Sequence, residues 1–157
     1  MPSISGSDLI IRKAVFTDLE TVKRIADAHR HELGFVVLSA LRERIERNEM
    51  LVAVRDNELI GFVDYHKRRD GQLTLYRIAV DEEDKGQRVG QALIDNLVAI
   101  ARAQGCSQII LKCPVDLRAN QFYEQHGFTP AGTVEGRRRS LNVWAMSLDH
   151  TTQSTQE

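Results

Sequence analysis

The segment from Arg77 to Ile94 constrains the fold more than any other, because its hydrophobic pattern changes period. Residues 77–80 have the pattern of a strand, the next eight residues are mostly polar, and from Val89 onward apolar residues recur at helical spacing. The first backbone N–H groups of such a helix lack intrahelical partners and lie at the positive end of its dipole. The segment therefore predicts a site for an anion, most often a phosphate.

The spacing of the glycines distinguishes this loop from two common phosphate-binding loops. It contains neither G-x-x-x-x-G-K-[ST] nor G-x-G-x-x-G. Gly86 and Gly90 lack a Cβ, so the backbone at these positions can approach a ligand closely.

Length and composition limit the possible classes of protein. The 157 residues suffice for one domain with a sizeable core, and the net charge of −1 gives no overall field that attracts nucleic acid or a membrane. No apolar run approaches the roughly 18 residues of a membrane span, and Met1–Ser7 lacks the plan of a signal peptide. Cys106 and Cys113 form no C-x-x-C pair, so we expect reduced thiols and a cytoplasmic protein.

The hydrophobic pattern predicts elements in the order β-α-α-β-β-β-α-β-α-β-β. The strands are expected at 9–13, 50–55, 59–67, 73–80, 108–113, 128–134 and 141–148. Thr17 with Glu20 predicts a capping box, and Asp116 predicts a helix cap. Gly105 predicts a helix C-cap, and Asp70-Gly71 a two-residue hairpin loop. One domain is expected over 8–149, with flexible termini at 1–7 and 150–157.

The loop resembles the pyrophosphate-binding loop of the GNAT (GCN5-related) N-acetyltransferases, whose pattern is [Q/R]-x-x-G-x-[G/A] before a leucine-rich helix. Two registers fit. Gln87-x-x-Gly90-x-Ala92 matches the letters, whereas Lys85 to Gly90 places Lys85 for the first Arg and Arg88 for a Gly. We prefer the second register because it fits the phase of the helix better.

A second segment, Cys113 to Phe128, is similar to the other GNAT signature, N-x-x-A-x-x-F-Y-x-x-x-G-F. The matching residues are Ala119, Phe122, Tyr123, Gly127 and Phe128. The resemblance covers about residues 8–149. It implies an α/β (mixed α+β) GNAT fold, with a mixed, mostly antiparallel sheet of about seven strands, splayed in the middle and flanked by about four helices.

The resemblance also implies acetyl-CoA as the acyl donor. The backbone of Ile78 and Val80 would pair with the pantetheine arm, and the loop would bind the pyrophosphate. The residues assigned to the cofactor are Ile78, Ala79, Val80, Lys85, Gly86, Gln87, Arg88, Val89, Gly90, Gln91, Asn120 and Tyr123.

Acetyl transfer to an amine needs a neutral amine, a donor to the thioester oxygen and a proton for the leaving thiolate. In the family, the backbone N–H at the position of Val80 donates to the thioester oxygen. Tyr123 holds the position of the general acid, since a phenol is protonated at neutral pH. The alternative for Tyr123 is aromatic packing beside Phe122.

The general base is left open, since Thr74 to Arg77 carries no carboxylate where many relatives have Glu. His66 and Asp64 are the candidates on the preceding strand, on one face by alternation. We select His66 because histidine changes its protonation state near neutral pH. A solvated strand residue is the alternative. Substrate contacts are assigned to His29, His31 and Tyr76.

Two further features of the sequence concern metal binding and a run of basic residues. His31-Glu32 begins an H-E-x-x-H pattern, but Phe35 occupies the second His position, so we predict no metal. Arg137–Arg139 is a basic run that is either a solvated loop or a contact to an acidic acceptor or to the cofactor phosphates.

We therefore predict an acetyl-CoA-dependent N-acetyltransferase that acts by direct attack in a ternary complex. The acceptor is a small-molecule amine or a protein or peptide amine, and the enzyme is a monomer or homodimer without nucleic-acid or membrane partners. The alternative is a non-catalytic acyl-CoA sensor. The near-zero net charge speaks against an aminoacyl-tRNA acceptor.

Overall fold

The computed structural model describes residues 8–86 and 88–148, so Gln87 and the predicted flexible termini lie outside the described residues. Seven strands lie within the described residues: β1 (Leu9–Lys13), β2 (Met50–Arg55), β3 (Glu58–Lys67), β4 (Gln72–Val80), β5 (Gln108–Pro114), β6 (Thr129–Glu135) and β7 (Ser140–Ser147). The helices are α1 (Leu19–Ala28), α2 (Arg30–Leu33), α3 (Leu38–Glu46), α4 (Val89–Ala103) and α5 (Ala119–Gln125). Short 3-10 turns occur at Phe16–Asp18 and Glu82–Asp84.

The seven strands form one mixed sheet in the order β1-β2-β3-β4-β5-β7-β6. The pairs β1–β2, β2–β3, β5–β7 and β6–β7 are antiparallel, whereas β4–β5 is parallel. A parallel pair needs a crossover connection, and α4 supplies it. The predicted mixed, mostly antiparallel sheet is confirmed, as is the order of the longer elements.

The described residues fall into two compact units. The first comprises the chain up to Tyr65 together with Arg77–Asn96, and the second comprises His66–Tyr76 together with the chain from Leu97 onward. β3, β4 and α4 therefore each begin in one unit and end in the other.

The core of the first unit forms where α1 and α3 place their apolar faces against strand residues. In α1, Leu19, Val22, Ile25 and Ala26 recur at three- and four-residue spacing and are buried. The full cluster consists of Ala14, Leu19, Val22, Ile25, Ala26, Val36, Leu41, Ile45, Met50, Val52, Leu59, Phe62 and Ala79. Because Ala79 belongs to this cluster, its neighbours Ile78 and Val80 face the other side of β4.

In the second unit, Gly105 ends α4 as predicted. Its φ is +75°, and the N–H of Cys106 donates to the carbonyl of Ala101 at 2.9 Å. This is the left-handed C-terminal geometry that favours glycine. Within this unit β4 pairs with β5, with Gln72 opposite Gln108 and Thr74 opposite Ile110.

The predicted capping box at Thr17 and Glu20 is wrong. α1 begins at Leu19 after a 3-10 turn, and it is Asp18 that accepts a hydrogen bond from the backbone N–H of Val15, at 2.8 Å. Asp18 rather than Thr17 takes this role because Arg12 also donates to both carboxylate oxygens of Asp18, at 2.9 and 3.1 Å.

Two other local predictions need correction. α5 begins at Ala119 with Arg118 as its N-cap, and Asp116 instead pairs with Arg139 at 3.1 Å. Four residues, 68–71, separate β3 from β4 where a two-residue loop was predicted, and the hydrogen bond from the N–H of Arg68 to the carbonyl of Gln72 encloses three of them. Gly71, with φ +86°, occupies the left-handed position of such a loop.

Candidate active site

The loop after β4 is held by contacts to two other strands and a helix of the first unit. The N–H of Asp81 donates to the carbonyl of Ile60 at 2.8 Å, which continues the β3–β4 pairing past Val80. The Asp81 carboxylate lies 3.7 Å from Arg24 of α1, and Asp84 lies 4.0 Å from Arg55 of β2. The strand end and the acidic turn are thus fixed before the helix begins.

Arg88 directly precedes α4, and its carbonyl accepts a helical hydrogen bond from the N–H of Ala92 at 3.0 Å. Val89 and Gly90 belong to the first turn of α4, where backbone N–H groups generally lack acceptors within the helix. Arg88 itself has φ +66°, a left-handed conformation that favours glycine. The position that the preferred register equates with the family's glycine is therefore one where glycine is expected.

Two cations accompany this helix start. Lys85 and Arg88 are both exposed, and Lys85 lies 3.5 Å from the exposed Glu82. Gly86, with φ +83°, provides the turn between the acidic segment and the helix. The predicted loop residue Gln87 lies outside the described residues.

Gly61 of β3 is a site residue that sequence reasoning missed. A Cβ at this position would lie 3.0 Å from the carbonyl oxygen of Ala79 and 3.4 Å from the Cα of Val80. Glycine therefore lets β3 approach the backbone that would donate to a thioester oxygen. An isolated glycine within a strand is the signal that could have indicated such an approach.

Asp64, an alternative candidate for the base, is fully buried and paired with Arg77. Nε and Nη2 of Arg77 donate to Oδ2 of Asp64 at 2.9 and 2.6 Å, while Oδ1 has no hydrogen-bond partner among the described residues. Burial penalises the charged form and raises the pKa of the Asp64 carboxyl, although Arg77 opposes the shift. The carboxylate is not accessible to a substrate.

In the second unit, the structure brings together His66 and Tyr76, predicted for catalysis and for substrate binding. Their rings are nearly parallel, at 4°, with centroids 6.5 Å apart. His66 is partly buried, whereas Tyr76 is 48% exposed. Together they form an aromatic pair that is partly accessible to solvent.

Tyr123 lies on α5 and is 8% exposed. Its ring packs edge-to-face on Phe122 and Phe128, at centroid distances of 5.5 and 5.7 Å. Its carbonyl accepts hydrogen bonds from the N–H groups of His126 and Phe128, both at 3.1 Å. The ring therefore has a defined orientation, which suits either packing or proton donation.

Asn120, predicted to contact the cofactor, uses its side-chain amide inside the protein. Nδ2 donates to the carbonyls of Pro114 and Leu117, and Oδ1 accepts from Asn142 and Trp144. The amide already has these partners, so a polar contact to a cofactor would have to compete with them.

The two histidines assigned to the substrate differ in accessibility. His29, between α1 and α2, is 3% exposed, and its Nδ1 lies 2.9 Å from the carbonyl oxygen of Ile25. Its Nε2 is buried without a partner among the described residues. His31 on α2 is exposed. The structure supports surface contact for His31 and not for His29.

Two other kinds of site, a metal centre and a membrane-spanning helix, are absent from the described residues. Over residues 8–86 and 88–148, no cluster of three or more His, Cys, Asp or Glu side chains is arranged to hold a metal ion. In that same part of the chain, no helix combines the length and apolar character needed to cross a lipid bilayer.

The chain is similar to known acetyltransferases. It is 31% identical over 104 residues to N-acetyltransferase 8B of Homo sapiens, which is 62% of this chain and 44% of that protein. It is 27% identical over 131 residues to the 5-NmdU N-acetyltransferase of Pseudomonas phage PaMx11, covering 82% of this chain and 92% of that protein. The chain thus spans less than half of the human relative.

The fold has solved counterparts. A structure of yncA from Salmonella typhimurium with its cofactor acetyl-CoA has a TM-score of 0.75 and 18% identity, covering 92% of this chain and 96% of that one. Residues 16–128 match the sequence pattern of the Acetyltransferase (GNAT) family. Since the match includes both the loop at the start of α4 and Tyr123 on α5, the chain belongs to the GNAT acetyltransferase family.

Proposed function

We propose that this chain transfers the acetyl group of acetyl-CoA to a primary amine by direct attack in a ternary complex. The amine is carried by a small molecule or by a peptide. We further propose that 8–149 is one acetyltransferase domain that acts in the cytoplasm.

The observation that carries this proposal is the start of α4. Arg88 adopts the left-handed conformation at the position of the family's loop glycine, and the helix begins directly after it. The backbone N–H groups of the first helical turn, at Val89 and Gly90, are the proposed donors for a pyrophosphate, and the helix dipole favours its negative charge. Lys85 and Arg88 add charge-assisted contacts.

Val80 has the role of stabilising the developing oxyanion. Its backbone N–H donates to the thioester oxygen as negative charge forms during attack. The backbone of Ile78 pairs with the pantetheine arm in the manner of an added strand. Neither role requires a particular side chain at these two positions, which is compatible with their apolar character.

Tyr123 supplies the proton to the leaving thiolate. When the amine nitrogen forms a bond to the carbonyl carbon, the C–S bond breaks and the sulfur takes its electron pair. A neutral phenol can donate a proton to that sulfur. The edge-to-face contacts with Phe122 and Phe128 would hold the phenol ring in one orientation.

His66 is the proposed base that takes a proton from the acceptor ammonium, directly or through water. Its position beside the exposed Tyr76 supports this assignment, whereas the buried Asp64 could act only indirectly. Tyr76 and His31 are the proposed contacts to the acceptor because both are exposed.

The test is thiol release from acetyl-CoA in the presence of a panel of small-molecule amines and peptides. The proposed function predicts CoA release that depends on one class of amine, with a mass increase of that amine by one acetyl group. Tight binding of acetyl-CoA without turnover of any amine would contradict the proposal and would favour an acyl-CoA sensor.

A further inference from the structure

We infer that Asn120 is a positioning residue that fixes α5 and thereby the phenol of Tyr123. This inference rests on the proposed role of Tyr123 as the general acid. It assigns to the Asn120 side chain a role inside the protein in place of the predicted contact to the cofactor.

The side chain of Asn120 joins three segments of the second unit. Its Nδ2 donates to the carbonyls of Pro114 at 2.9 Å and Leu117 at 2.8 Å, at the end of β5 and in the following loop. Its Oδ1 accepts from Asn142 Nδ2 at 3.1 Å and from Trp144 Nε1 at 2.8 Å, both on β7. One amide thus uses both of its ends.

The chemistry of the partners fixes the orientation of this amide. The indole N–H of Trp144 can only donate, so the atom facing it must be the amide oxygen. The carbonyls of Pro114 and Leu117 can only accept, so the amide nitrogen must face them. A flipped amide would lose the hydrogen bonds at both ends. Asn120 therefore holds the loop and β7 in one arrangement.

α5 depends on such tertiary contacts. It has seven residues, and helices this short are unstable alone. Its N-cap, Arg118, makes no side-chain capping hydrogen bond. The Asn120 amide satisfies the Leu117 carbonyl just before the helix and anchors the first turn to β7. These contacts do not cap the N–H groups of the helix, but they tie its first turn to β7 and so restrict rotation of the helix about its axis.

Tyr123 is three residues after Asn120, so the two side chains lie on the same side of α5, one turn apart. A rotation or shift of the helix at Asn120 moves the phenol with it. Proton transfer needs the donor within hydrogen-bond distance of the sulfur, and small displacements of reacting groups reduce rates strongly. The Asn120 contacts should therefore affect the rate of transfer more than the affinity for acetyl-CoA.

A double-mutant cycle with Tyr123→Phe tests this inference. Trp144→Phe removes one donor to Asn120 while keeping an aromatic ring, and Asn142→Ala removes the other donor with less effect on packing. Gln121→Ala, on the exposed face of α5, is the matched control. kcat and KM for acetyl-CoA are measured at saturating amine for each single variant and in the Tyr123→Phe background.

We expect either β7 variant to lower kcat roughly threefold to tenfold with KM for acetyl-CoA within about twofold of the parent. In the Tyr123→Phe background the same variants should produce no further loss, because the acid they position is absent. Gln121→Ala should leave both constants unchanged. Trp144 is the only tryptophan, so its single indole N–H resonance reports the hydrogen bond directly and should shift in Asn142→Ala but not in Gln121→Ala.

An equal fractional loss of kcat in the parent and in the Tyr123→Phe background would overturn the inference, since the Asn120 hydrogen bonds would then act independently of Tyr123. An unchanged kcat in Trp144→Phe and Asn142→Ala would overturn it as well. Failure of the proposed function has a different signature, because the parent enzyme itself would then show no amine-dependent release of CoA.

Discussion

Gly61 on β3 and Ala79 on β4 approach so closely that a Cβ on Gly61 would lie 3.0 Å from the Ala79 carbonyl oxygen. That carbonyl belongs to the peptide group whose N–H is the Val80 N–H, the proposed donor to the thioester oxygen. The absence of a side chain at Gly61 therefore permits the close approach of β3 to the peptide group that we propose as the oxyanion donor.

Gly61→Ala should displace this peptide by a few tenths of an ångström. Because oxyanion stabilisation depends on donor position, we expect kcat to fall about threefold to tenfold. Steady-state kinetics, with the melting temperature measured in parallel, test this. If kcat stays at the parent value in a folded variant, the Val80 N–H is not placed by Gly61.

Replacing Arg88 by glycine and by alanine separates backbone strain from charge. Both variants lose the guanidinium, but only glycine adopts φ +66° without a steric penalty. We expect Arg88→Gly to be more stable than Arg88→Ala by about 1 kcal/mol, as measured by urea unfolding. Equal stabilities would mean that the left-handed conformation at this position costs nothing.

Asp18→Asn should make stability less dependent on pH. Burial acts to raise the pKa of the Asp18 carboxyl, but hydrogen bonds from Arg12 and the Val15 N–H outweigh it and hold the pKa below its usual value. A lowered folded-state pKa adds stability above the unfolded-state pKa, and this stability is lost as the pH falls through the folded-state pKa. Asparagine retains an oxygen for Val15 but not the charge.

We therefore expect Asp18→Asn to cost about 1 kcal/mol at pH 7, with the deficit shrinking below about pH 4. Denaturant unfolding at a series of pH values measures the effect. A deficit that is constant from pH 7 to pH 3 would exclude the charge of Asp18 as its cause.

Much of this fold follows from local sequence signals. The change of period between Arg77 and Ile94 predicts β4, the loop and α4, and Gly105 predicts the end of α4, because each depends on neighbouring residues. The choice of Asp18 over Thr17 as the capping residue could not be predicted in this way. It depends on Arg12, which belongs to another element, β1.

The candidate site also combines local features, which the sequence predicts, with tertiary features, which it does not. The motif spacing predicted the position of the loop glycine, and the left-handed φ of Arg88 at that position is a local property. Asn120 was assigned to the cofactor from the second family signature, and its hydrogen bonds to Asn142 and Trp144, which lie 22 and 24 residues away, could not be predicted from local sequence. Burial of His29 is likewise a tertiary property that periodicity alone did not predict.

Tyr123→Phe tests the proposed general acid. Removal of the hydroxyl leaves the aromatic packing in place, so we expect acetyl-CoA affinity to be retained. kcat should fall about tenfold to ten-thousandfold because the thiolate loses its proton donor. Phe122→Leu is a useful control for ring packing. An unchanged kcat in Tyr123→Phe would remove Tyr123 from the mechanism.

His66→Gln tests the proposed base through the pH dependence of kcat/KM. The parent should lose activity as the pH falls, because a protonated imidazole cannot accept the amine proton. The variant should have a lower rate and should lose this acid limb. A parallel profile at reduced rate would indicate that another group, or the amine itself, titrates.

The most direct test of the account is calorimetric titration of the parent protein and of Gly90→Asp with acetyl-CoA. We expect the parent to bind with a Kd between about 1 μM and 1 mM, the range typical of substrates. We also expect binding to be lost in Gly90→Asp, because the new carboxylate lies at the start of α4 and repels the pyrophosphate. Retention of the parent affinity by a folded Gly90→Asp variant would contradict the assignment of this loop.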